Sequence, residues 1–147
     1  MSTRTKVLIA ILLGILFFAA EQALSQERSP FGAPILTRAE ALQVMQASIR
    51  DDSEKFFSGG LPVANIKVEW ANLNKENYLG QTVPYPLRHY VIRIDRASNP
   101  VWRQARLTEL HEECHVYQWE TEAGGHGPKF DACMLMLAEK GAFKDLW

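Results

Sequence analysis

Cysteine is scarce in this chain, with two residues in 147. Two are too few for a disulfide-built scaffold, and no Cys-x-x-Cys pair occurs, which excludes a zinc ribbon. An excess of one charge is also missing. Lys and Arg number 16 against 17 Asp and Glu, a formal net charge of −1, so a strongly basic nucleic-acid binder is not the default. A long apolar run is absent too. The stretch from Val7 to Ala20 falls short of the about 20 residues that a bilayer-spanning helix needs. There is no internal repeat and no low-complexity segment. What remains is 47% hydrophobic and 22% charged, an ordinary globular composition with room for one domain.

Arg4 and Lys6 precede the apolar run, and Glu21 ends it. A basic start, a short apolar stretch and then small residues describe a secretory signal peptide. Ala23-Leu24-Ser25 puts small residues where a signal peptidase reads them. Residues 1–25 are therefore expected to be removed before Gln26, with Ala20 as a second cleavage position. An uncleaved membrane anchor is the alternative. No Cys lies near the cleavage position, so a lipoprotein is not indicated. The expected location is secreted or periplasmic, or membrane-anchored if the segment stays. Pro30, Gly32 and Pro34 mark residues 26–36 as a linker, which leaves 37–147 as the folded domain.

Within that domain, Thr37 and Glu40 are spaced as a capping box ahead of Leu42, Met45 and Ile49. A helix over about 38–57 follows, stopped by Gly59-Gly60. Ile66, Val68 and Trp70 alternate at strand period, as do Tyr90, Ile92 and Ile94. Residues 78–83 form a short strand between them, and Pro84 and Pro86 break the chain. Short connections predict antiparallel pairing. Asn99-Pro100 reads as a helix start, with Asn as the cap. That helix runs to about Glu122, Gly124-Gly125 ends it, and Pro128 opens another that Gly141 closes.

The central helix contains His111-Glu112-Glu113-Cys114-His115. Histidines at i and i+4 stand one above the other on a helix face, so both imidazoles can reach one ion. Glu112, beside the first, can act as general base on a metal-bound water. A catalytic zinc needs three protein ligands and an open position. His126, between a Gly-Gly break and a Pro-started helix, supplies the third. Glu139 ranks well below it. A metzincin would need Gly and His where Gln118 and Thr121 stand, so that arrangement is excluded. The competing reading is an amphipathic helix with partly buried, hydrogen-bonded histidines.

The run HEECHVYQWETEAGGHGPKFDACM, His111 to Met134, resembles the zinc core of SprT-like metalloproteases, the group that includes the Spartan proteases. That family carries His-Glu-x-x-His on one helix and His-Gly-x-x-Phe or Trp opening the next, here His126-Gly127-Pro128-Lys129-Phe130. The upstream order is similar over roughly residues 36–140. The resemblance implies an α+β, zincin-like metallopeptidase domain. It has an N-terminal helix, a three-stranded antiparallel sheet, an active-site helix and a following helix. It also implies Zn2+ on His111, His115 and His126, catalytic Glu112, and a protein or peptide substrate. Spartan acts on protein crosslinked to DNA. The apparent signal peptide and the lack of a basic tail argue against nucleic acid as partner here.

The expected chemistry is peptide-bond hydrolysis by a zinc-activated water, with Glu112 moving the proton. A zinc-stabilised, non-catalytic binding domain is the alternative. Tyr78, Tyr85, His89, Tyr90 and Tyr117 are candidates for the second oxyanion donor, and the strand at 78–83 or 89–95 for holding an extended substrate. Asp131 and Glu113 are candidates for orienting the ligands, but a solvated surface charge is the first expectation for each. Arg103 and Arg106 read as solvated, and Trp119 as a candidate cleft wall. Cys114 and Cys133 sit on the two helices that His126 must bring together. After export they can form a disulfide, or remain buried thiols.

Overall fold

The computed structural model describes residues 37–73 and 75–146. The expected signal peptide 1–25, its cleavage positions and the expected linker 26–36 lie outside the described residues. No described helix is long and apolar enough to cross a membrane.

Helix α1 covers Arg38–Lys55. The capping box sets its start: the Glu40 amide donates to Thr37 Oγ1 at 3.2 Å, and the Thr37 amide to Glu40 Oε2 at 2.8 Å. Ala41, Met45 and Ile49 form its buried stripe. Three strands follow, β1 Ile66–Ala71, β2 Gly80–Tyr85 and β3 His89–Asp95. Helix α2 spans Trp102–Glu122, and α3 spans Pro128–Glu139.

The strand order is β1-β3-β2. β2 and β3 make an antiparallel hairpin, with Gly80 opposite Ile94. β1 runs parallel to β3, with Ile66 opposite Tyr90. The expected all-antiparallel sheet is therefore corrected to a mixed one. Short connections favour antiparallel pairing only for strands that end up adjacent. Here β3 inserts between β1 and β2, and the chain through β2 supplies the crossover that a parallel pair needs.

Pro84 lies inside β2 rather than ending it. The Asp95 amide donates to Leu79 O at 2.9 Å. By alternation, Gly80, Thr82 and Pro84 then turn their backbone groups away from β3, to the outer edge. The missing N–H of Pro84 thus costs no ladder bond.

One face of the sheet is apolar. Ile66, Val68, Tyr90, Ile92 and Ile94 join Met45, Ile49, Leu110, Cys114, Phe130 and Leu137 in a single buried cluster. The other face carries the charged pairs, with Lys67 paired to Glu69 at 2.9 Å and Arg93 donating to Gln81 at 2.9 Å, beside Val83 and Val91. All three helices contribute to the cluster on the apolar face, so burial on that face sets the layer order.

Asn99 does not cap α2. The helix begins at Trp102, with Val101 at the cap position and no side-chain cap bond. Asn99 is buried instead. Its amide donates to Leu79 O and Asp95 O, both at 2.8 Å, and its oxygen accepts from Thr108 at 2.6 Å. Buried Asp95 accepts from the amides of Leu73 and Ser98, each at 2.7 Å. Burial alone would raise the Asp95 pKa, but these amide bonds outweigh it and hold the carboxyl below its usual range. Asp95 and Asn99 together tie the ends of all three strands to α2. A polar residue followed by Pro announces a cap locally, yet the tertiary bonds win.

Candidate metal centre

Helix α2 presents Leu107, His111, His115 and Trp119 at successive turns to one cleft of about 790 Å3. The end of α2 is set by Ala123 and Gly124, with φ of 45° and 81°. The chain then reverses into α3, which packs back on α2. Cys114 and Cys133 are joined by a disulfide between the two helices, with their Cα atoms 5.9 Å apart. That hairpin returns His126 to the first two histidines.

The three Nε2 atoms converge. His111 and His115 lie 3.2 Å apart, and His126 is 3.1 Å from each. Tetrahedral ligation at about 2.0–2.1 Å places ligand nitrogens about 3.3–3.4 Å apart, so the spacing fits one ion. Three ring nitrogens this close cannot satisfy one another. A hydrogen bond between two leaves the third without a partner. Burial pushes His111 and His115 down to about 4, helped by repulsion from the neighbouring rings. Both are therefore neutral at physiological pH, the form that ligates metal. Phe130 packs against all three rings, with centroids 4.4–4.8 Å away. His111, His115 and His126 thus form a candidate metal-binding group, and imidazoles suit a first-row transition metal.

Glu112 lines the same cleft and is buried. The Thr82 hydroxyl lies 2.8 Å from Glu112 Oε2 and 3.1 Å from its main-chain oxygen. Burial raises the Glu112 carboxyl to about 7, although the Thr82 bonds oppose it. The strand reaches this close because residue 80 is glycine. A Cβ there would stand 2.5 Å from Thr108 Cγ2 and 2.8 Å from Glu112 Oε1.

The remaining candidates separate clearly. Tyr78 and Trp119 line the cleft, whereas Tyr85, His89, Tyr90 and Tyr117 do not. Tyr90 is buried, and Tyr117 packs on Phe57. β3 is the central strand, so of these two candidate strands β2 is the one with a free edge to offer. Glu139 is exposed and stands outside the histidine group. Asp131 is exposed, at the first turn of α3.

Two sequence expectations fail here. Arg106 and Glu113 are buried rather than solvated. Arg106 donates to Asp52 and Glu109, each at 2.6 Å, and lies 3.6 Å from Glu113. Burial would lower the Arg106 pKa, but the three carboxyl groups outweigh it and raise it. Burial also lifts Glu109 to about 8 and Glu113 well above the carboxylate range. Asp52, Glu109 and Glu113 converge closely enough to hold a metal ion, yet the Arg106 guanidinium already stands among them as the cation. Glu113 acts in this cluster and not on the histidines.

Sequence reasoning also missed Thr82 and Glu122. Nothing in a strand pattern marks a threonine that will meet a carboxylate 30 residues away. Glu122 accepts from the amides of Lys129 and Phe130, each at 2.9 Å. An acid placed shortly before a Pro-started helix was the available signal. No protein-family model, curated protein or solved structure matches the chain.

Proposed function

We propose that this chain is an exported zinc metallopeptidase of the SprT-like type, acting on proteins or peptides. The observation that carries the reading is the convergence of three imidazole nitrogens beside a buried carboxyl group in one cleft. His111, His115 and His126 would hold the ion. Zinc, when bound, acidifies water toward a pKa of about 7 and polarises a carbonyl.

Glu112 supplies the base. Thr82 occupies Oε2, which leaves Oε1 to take the proton from the attacking water and return it to the leaving amine nitrogen. The open edge of β2 at Gly80 and Thr82 offers backbone N–H and C=O groups to an extended chain. Tyr78, which lines the cleft, would donate to the oxyanion. The Cys114–Cys133 disulfide supports a destination in an oxidising compartment.

Purified protein is expected to hold one zinc per chain and to digest casein. Glu112→Gln should keep the zinc and lose about 10²–10⁴-fold in kcat/KM, the range for removing a general base. Wild-type turnover by Glu112→Gln would refute the mechanism. A zinc-loaded wild type that cleaves nothing would instead favour the non-catalytic binding domain.

A further inference from the structure

We infer that the cleft selects substrates with apolar or aromatic side chains flanking the cleaved bond and rejects charged ones, an inference that rests on the peptidase reading. The cleft floor is the α2 stripe, with the two ligands in the middle. Leu107 stands one turn before them and Trp119 one turn after. Met134 of α3 and Phe143 beyond it add apolar wall. Tyr78 and Leu79 stand at the rim, 52% and 60% exposed.

Charge is missing from this lining. Among the described residues, no Lys, Arg or Asp borders the cleft. Its one carboxyl group is Glu112, which Thr82 holds and hydrolysis uses. A substrate Lys or Asp side chain entering the cleft loses hydration and meets no oppositely charged side chain free to pair with it. A Leu or Phe side chain gains by leaving water. The volume, about 790 Å3, lies within the range of about 300–1,000 Å3 usual for ligand sites, so side chains on both sides of the scissile bond can enter.

The test uses zinc-loaded protein and a fluorogenic peptide series that differs only beside the scissile bond, with Leu, Phe, Lys or Asp there. The kcat/KM for Leu and Phe peptides is expected to exceed that for Lys and Asp by at least about tenfold. Calorimetric titration of the same peptides into zinc-loaded Glu112→Gln should give the same order without turnover. Leu107→Lys should shift preference toward Asp while zinc content stays unchanged. If that variant fails to fold, the peptide series and the titration decide. Turnover that is indifferent to these side chains, or that favours charged ones, overturns this inference alone. Absence of both cleavage and binding across the series overturns it together with the peptidase reading.

Discussion

Glu112 is held in a buried position, with Thr82 on one oxygen and the Gly80 backbone against the other side. Burial raises its pKa from 4.5 to about 7. Protonation is therefore easier in the folded chain than in the unfolded one. The associated stability is fully present below about pH 4.5 and is lost as pH rises through about 7. Gln cannot ionise, so zinc-free Glu112→Gln should gain on zinc-free wild type across that window, by about 3 kcal/mol at pH 8. Urea unfolding in chelator at pH 4.5 and pH 8 measures this. The low pKa values of His111 and His115 act in both proteins and cancel in the difference. A gap between variants that does not change with pH would remove the burial account. At this scale, the i, i+4 pair and the acid between them are legible because helix geometry is local. Thr82 is not, because its meeting with Glu112 depends on how the sheet docks.

The α2–α3 hairpin is the element that completes the metal group. Its loop carries His126, and Glu122 closes that loop from the end of α2. The Glu122 carboxylate takes up two of the free amides at the start of α3, next to the positive end of the helix dipole. The Lys129 amide bond is the largest influence holding this carboxyl group below its usual range. Glu122→Ala should weaken zinc binding about tenfold, as loss of a ligand-supporting group does, while leaving the three ligands in place. Glu122→Gln should fall between wild type and Glu122→Ala, since its single amide oxygen can accept only one of these two N–H groups. Competition with a chromogenic chelator reads both, and equal affinity for all three proteins would strip Glu122 of the role. Element ends were legible where the signal is used locally, as at Thr37 and Glu40. The start of α2 was not, because Asn99 spends its hydrogen bonds on β2, β3 and Thr108.

Across the whole domain, Arg106 joins α1 to the histidine-bearing helix α2 through Asp52, Glu109 and Glu113. Arg106→Leu would leave these buried acids without their cation. Breaking such a cluster from one side costs about 3–5 kcal/mol, so a large fall in the denaturant midpoint is expected. A midpoint within error of wild type would mean that the three acids are neutral and need no partner. The α+β class, the helix carrying the histidines and the return of His126 were all readable in advance. Each follows from periodicity, caps and spacing within a few turns of chain. Alone, the sequence determined the set of imidazoles and the acid among them, because i, i+4 neighbours and a Gly-Gly reversal act locally. Only the tertiary structure decided that β1 runs parallel to β3, that Gly80 and Thr82 lie against Glu112, and that Arg106 is buried among acids. These outcomes depend on which surfaces bury one another across long stretches of chain, and no local period records that choice.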